Sequence, residues 1–185
     1  DPYVWAATYD DRGRRQSLGL GPRPNGSTWL ARNWSYDSDQ RLARTQTAVN
    51  GATVVDHSYS YEASGLLVSR GTTAAAGRRT ECYTHDRRDR LTAAYTTTAA
   101  ACDGTGRGTG AQPYDHVYRY SPDGNLTARI EGGTTFTYTY SPADQPHAPV
   151  GVGADRYGWD AGGRLTTRTV TGRTETLTWD SEQRL

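Results

Sequence analysis

"YGWDAGGRLTTRTVTGRTETLTWDSEQRL", residues 157–185, writes one short pattern twice. An aromatic residue is followed by Asp, three further residues, Arg and Leu, first at Trp159–Leu165 and again at Trp179–Leu185. One copy describes a turn between two strands, but two copies in close succession describe a repeat, and a repeat dictates the architecture. The residues before each aromatic alternate, as in Leu177 and Trp179, which is the period-two pattern of a strand with one apolar face. Asp or Ser then opens a turn, because its short side chain accepts from backbone N–H groups further on. Gly supplies the positive φ that a tight hairpin needs. Leu starts the return strand on the face the aromatic left.

Working outward, the same motif anchors eight units. They are "TYDDRGRR" at 8–15, "SYDSDQRL" at 35–42, "SYEASGLL" at 60–67, "THDRRDRL" at 84–91, "RYSPDGNL" at 119–126, "TYSPADQP" at 139–146, "GWDAGGRL" at 158–165 and "TWDSEQRL" at 178–185. Their anchors are Tyr9, Tyr36, Tyr61, His85, Tyr120, Tyr140, Trp159 and Trp179. Six residues after the anchor stands Leu42, Leu67, Leu91, Leu126, Leu165 or Leu185, with Arg15 and Pro146 in the first and sixth units. The spacing predicts two strands per unit, about 15 in all, as an all-β array of tandem β-hairpins in a long, twisted and curved antiparallel sheet. The anchors and leucines are expected to form one continuous buried stripe.

The array is expected to run over 1–185 as a single domain of about eight units. Two inserts interrupt it: a Pro/Gly loop near 19–30, "GPRPNGST" at 21–28, and "AAACDGTGRGTGAQPYD" at 99–115. The second is glycine-rich and aperiodic and reads as a flexible surface excursion.

Composition agrees with this reading. Tyr numbers 13, Trp 5 and Phe 1, and residues of that kind, with Thr and Val, favour a half-buried pleated surface. Low apolar content by itself would fit disorder, but disordered chains are also poor in aromatics. Basic residues number 21 and acidic 20, so charge argues against nucleic acid or another polyanion as partner. Every basic residue is Arg, which points to a bacterial source of high GC content. Met is absent, even at position 1, so the sequence is expected to be processed or part of a longer chain. No apolar run is long enough for a signal peptide or membrane span in this segment.

Candidate chemistry is sparse. The corner carboxylates Asp10, Asp37, Glu62, Asp86, Asp160 and Asp180 come one per hairpin, which gives a row of turn formers and not the close pair that acid–base hydrolysis needs. The histidines His57, His85, His116 and His147 lack zinc-ligand spacing. "GTGRGTG" at 104–110 has neither the lysine nor the following helix of a phosphate loop. No catalytic residue, cofactor or metal site is therefore expected. Cys82 and Cys102 flank the fourth unit at the outer ends of its two strands; in an exported protein they would form a disulfide, and otherwise two free thiols. The sequons at Asn25, Asn33 and Asn125 are chance products of a Ser/Thr-rich chain, Asn125 standing where other units place Arg.

The unit resembles the YD repeats of the RHS family, which occur in bacterial RHS proteins, insecticidal toxin-complex shells and teneurins. That family writes Tyr-Asp, two variable residues, Gly-Arg-Leu, a strand and another Tyr-x-Tyr-Asp, and residues 157–185 follow it nearly position for position. Departures are His85 for the aromatic, Ser121 and Ser141 for Asp, and Gln145-Pro146 for Arg-Leu. The resemblance implies a segment of a spiral, hollow shell, secreted or at the cell surface. Its partners would be adjacent repeats of the same polypeptide and an enclosed C-terminal toxin polypeptide. A second reading is a cell-wall-binding module whose aromatics stack on glycans between hairpins. If the sequence is a segment, its sheet edges near Trp5 and Leu177–Trp179 are expected to invite further pairing.

Overall fold

The structure is a computed structural model and describes residues 4–22, 28–141 and 145–185. Residues 23–27, within the first insert and including the Asn25 sequon, and residues 142–144, within the sixth motif, lie outside the described residues. The chain divides into two compact units, Asp1–Asp115 and His116–Leu185. The division falls at the end of the glycine-rich insert.

The first unit holds β1 (Val4–Tyr9), β2 (Arg15–Pro22), β3 (Thr28–Tyr36), β4 (Leu42–Val49), β5 (Ala52–Tyr61), β6 (Leu67–Ala74), β7 (Gly77–His85) and β8 (Leu91–Thr97). The second begins within β9 (Asp115–Tyr120) and continues with β10 (Leu126–Glu131), β11 (Thr134–Ser141), β12 (Gln145–Val152), β13 (Asp155–Trp159), β14 (Leu165–Val170) and β15 (Arg173–Thr176). These are fifteen strands among the described residues, with no helix. In both units the strand order is the sequence order, and each strand runs antiparallel to its neighbours. An antiparallel meander follows from short connections, because each strand meets its successor before any distant partner.

The repeat motif makes one end of each hairpin. Tyr36 lies opposite Leu42, Tyr61 opposite Leu67, His85 opposite Leu91, Tyr120 opposite Leu126 and Trp159 opposite Leu165. The six-residue spacing is thus a directly facing cross-strand pair, which puts anchor and leucine on one face. A register shift accompanies each of these pairs; one extra residue at the corner strengthens the local twist. The sixth unit departs from the spacing. Ser141 pairs with Gln145 and Tyr140 with Pro149, so Pro149 and not Pro146 faces the anchor.

Two-residue turns close the opposite ends. Asn50-Gly51, Gly132-Gly133 and Thr171-Gly172 all carry two successive positive φ angles, the type I′ pattern whose twist matches paired strands. Thr171 (φ 50°) is the costly member, since its branched Cβ crowds the left-handed region.

The expected buried stripe is a half-buried one. Tyr36, Tyr61, His85, Tyr120, Tyr140, Trp159 and Trp179 are partly exposed, as are Leu42, Leu67, Leu91, Leu126 and Leu165. Tyr9 is 54% exposed and Leu185 75%. A sheet neighbour covers the flank of a side chain but not its tip; covering the tip takes a second layer. The buried side chains lie elsewhere among the described residues: Cys82, Ala93, Ala94 and Tyr95 with Thr80, Glu81, Thr96 and Thr97 on β7 and β8, and Thr45 alone on β4.

Candidate functional site

Most corners are built around one carboxylate, with Ser121 and Ser141 in its place in the fifth and sixth units. At the seventh unit the Asp160 N–H donates to Arg164 O (2.9 Å) and the Gly163 N–H donates to Asp160 O (2.9 Å). The side chain then fills the turn: Oδ1 accepts from the N–H groups of Gly162 (2.9 Å) and Arg164 (2.9 Å), and Oδ2 accepts from Arg164 Nε at 2.7 Å. Asp10 with Arg14, Asp37 with Arg41, Asp86 with Arg90 and Asp180 with Arg184 repeat the ion pair. The Arg of Gly-Arg-Leu therefore orders the turn that carries it.

These bonds stabilise the charged carboxylate, so every such Asp is held below the ordinary value. At Asp86 the Arg90 guanidinium leads and takes the carboxyl down to about 2. At Asp160 and Asp180 the backbone N–H of Arg164 and Arg184 is the largest cause. At Asp10 and Asp37 loss of solvent pushes upward and is outweighed by bonds from Arg14 and Arg41. Acids held this firmly ionised suit a turn and not proton transfer.

The same residues join one corner to the next. Arg14 Nη1 donates to Gln40 O and Arg41 Nη1 to Glu62 O, each at 3.2 Å. Their guanidiniums lie over the next anchor ring, Arg14 at 4.3 Å from the Tyr36 centroid and Arg41 at 4.8 Å from that of Tyr61. The anchors reach back: Tyr36 Oη donates to Arg15 O (3.0 Å), Tyr61 Oη to Leu42 O (2.9 Å), Tyr140 Oη to Leu126 O (2.9 Å) and Trp179 Nε1 to Leu165 O (2.8 Å). Trp159 Nε1 donates to Pro149 O (3.0 Å), which places Pro149 in the leucine's role. An anchor must thus offer an apolar ring and a terminal donor, as Tyr and Trp do. The single Phe, Phe136, is not an anchor. That pattern was visible in the sequence, but its meaning was not.

Where the motif departs, other side chains take over the joint. Asn125, in the Arg position, donates Nδ2 to Pro146 O at 2.7 Å. Gln145 reaches the carbonyls of Asp160 and Ala161, both at 3.4 Å. The third unit has Glu62 for Asp and Leu66 for Arg, and the side chain that approaches its carboxylate is His85 of the next unit, with Nδ1 3.2 Å from Glu62 Oε1. Three departures in two neighbouring units thus meet at one place.

The other sequence candidates fall apart spatially. His57 Nδ1 is 3.0 Å from Thr72 Oγ1, and burial followed by Arg70 and Arg32 lowers its basicity. His147 Nδ1 is 2.8 Å from Asn125 Oδ1, and His116 lies 3.9 Å from Glu131. Among the described residues no three His, Cys, Asp or Glu side chains gather as a metal site would require.

The glycine-rich insert is a packed strap where a flexible excursion was expected. Cys82 and Cys102 are joined as a disulfide, with Cα atoms 5.5 Å apart. Thr80 Oγ1 donates to Ala99 O (2.7 Å), Thr97 Oγ1 to Thr105 O (2.8 Å), and the Gly104 N–H to Tyr95 Oη (3.1 Å). Arg107 lies over the Tyr95 ring at 4.1 Å and pairs with Asp115. Gly106 shows why glycine is needed: at φ +62° a Cβ would stand 3.2 Å from Thr97 Oγ1. Burial first, then a bond to Tyr83, raises the Tyr114 hydroxyl well above the usual tyrosine range where the strap returns to the sheet.

No family model matches the sequence, and no curated protein does. Solved structures do match. The chain superposes on TcdB2-TccC3-TEV with a TM-score of 0.60, at 17% identity over 92% of this chain and 10% of that one. It shares this fold. TcdB2-TccC3 gives a TM-score of 0.58 at 18% identity, again over 92% of this chain and 10% of that one. The chain thus spans about a tenth of the length of the solved chains it matches.

Proposed function

We propose that this chain is a wall segment of an RHS/YD-type shell, a single repeat array over 1–185 whose work is enclosure and not catalysis. The observation that carries the reading is the corner joint. The full motif supplies a turn-ordering Asp–Arg pair, and where the joint is complete, as from Asp37–Arg41 to Tyr61, the Arg donates to the next corner and the next anchor donates back, so such a hairpin is specified to have a like hairpin beside it. That is the chemistry of a wall that extends by addition, with stability summed from units and nearest-neighbour joints. The fold shared with TcdB2-TccC3 supports the same reading. The partners would be adjacent repeats and an enclosed polypeptide, and the location secreted or cell-surface in a bacterium. Electron cryomicroscopy of the full-length polypeptide that contains this segment tests the proposal. A lumen walled by these hairpins, with density inside, is expected; an open sheet bordering no lumen would refute it.

A further inference from the structure

The anchor face of the second unit bears a groove of about 440 Å³ lined by Phe136, Tyr138, Tyr157 and Trp159, with Arg129 and Asp155. Register puts them there: Arg129 faces Phe136, and Tyr138, Val152 and Asp155 form one row across β11, β12 and β13. The bond from Trp159 Nε1 to Pro149 O fixes the indole plane, so the platform exists before any ligand arrives.

Elsewhere the protein covers rings of this kind with its own arginines, as Arg14 covers Tyr36, Arg41 covers Tyr61 and Arg107 covers Tyr95. In the groove Arg129 covers Phe136 at 5.0 Å and is itself 3.0 Å from Glu131. Among the described residues no cation lies over Tyr138, Tyr157 or Trp159. Asp155 is likewise unmatched: its carboxylate accepts from the Thr171 N–H at 3.3 Å, and no described cation pairs with it. We propose that this groove receives a guanidinium side chain presented by an extended polypeptide, the cation lying on the rings and bonding to Asp155.

The chemistry selects that occupant. A ring quadrupole attracts a cation to its face, and a carboxylate accepts two parallel guanidinium N–H bonds. An apolar side chain would bury Asp155 without a partner, which is costly. A neutral sugar would stack on the rings but leave the carboxylate's charge unmatched. The inference does not depend on the shell reading.

Calorimetric titration of the full 185-residue chain with a blocked pentapeptide carrying one central arginine tests it. The same peptide with citrulline, the uncharged isostere, should bind about tenfold more weakly. Asp155→Asn should weaken the arginine peptide by about tenfold and Tyr138→Leu, which keeps apolar area, by about fivefold. Thr137→Ala, on the opposite face, should leave affinity unchanged, and thermal melts confirm that each variant is folded. The proposal fails if citrulline binds as well as arginine, or if a neutral maltooligosaccharide competes with the peptide. It also fails if folded Asp155→Asn keeps full affinity, or if the arginine peptide shows no heat at about 10 mM.

Discussion

The hairpin of β7 and β8 and the hairpin of β13 and β14 use the same motif, yet they are stabilised differently. In the first, Cys82 is 0% exposed and Tyr95 2%, because the strap at 98–114 lies over the sheet and is tied by a disulfide and threonine hydroxyls. In the second, Trp159 and Leu165 face each other equally well but stay half-buried, because no such strap is present there among the described residues. The repeat by itself makes a sheet, and a core appears where the chain leaves the repeat and folds back. Stability in the plain hairpins comes from strand pairing and corner joints, each contribution small.

Breaking the covered hairpin should have the largest effect. Tyr95→Ala removes a buried ring and should lower unfolding free energy by about 3–5 kcal/mol in urea titrations. Replacing Cys82 and Cys102 by Ser should cost about 3 kcal/mol, given their separation of 20 residues. Intact mass after alkylation, with and without reductant, checks the bond itself. The plain hairpin should yield less: Trp159→Ala about 1–2 kcal/mol, since only part of the ring leaves water on folding. Trp159→Phe should account for about 1 kcal/mol of that by removing the donor to Pro149. Equal losses for Tyr95→Ala and Trp159→Ala would erase the distinction between the two hairpins.

Regularising the joint of the third and fourth units should give a smaller gain. The triple change Glu62→Asp, Leu66→Arg and His85→Tyr should add about 0.5–1 kcal/mol, whereas Leu66→Arg in isolation should add less because His85 already occupies the space beside Glu62. Comparing single and triple variants measures that coupling. Thr171→Asn, which relieves a strained turn in the plain region, should add about 0.5 kcal/mol.

The corner aspartates provide the pH dependence. Their folded carboxyls lie below the ordinary 3.8, so their contribution is present above about pH 4 and is lost as pH falls toward 2, where Asp86 titrates. Stability measured between pH 5 and pH 2 should decline over that window, and Arg90→Gln should move the Asp86 part of the decline upward.

Much of the fold was legible because the corner is local chemistry. An aromatic, an Asp whose carboxylate accepts from the N–H groups two and four residues on, and a Leu six positions after the aromatic are enough to place a hairpin and its apolar face, and they led to about 15 strands. The left-handed turn position was readable only where Gly occupies it. Gln40, Asp89 and Gln183 adopt φ of 69°, 61° and 62° at the same place, imposed by the two flanking strands. The sixth corner misled the spacing because extra residues put Pro149, and not Pro146, opposite Tyr140.

What the sequence determined by itself was the element that repeats: its strand period, its corner and the face its anchors share. What only the tertiary structure decided was which of those faces is covered, that His85 stands beside Glu62, and that a glycine-rich insert packs as a strap while four aromatic rings elsewhere line an open groove. Local pattern specifies backbone bonds between neighbours in sequence. Burial depends on which distant segment arrives above the sheet, and no period in the sequence encodes that arrival.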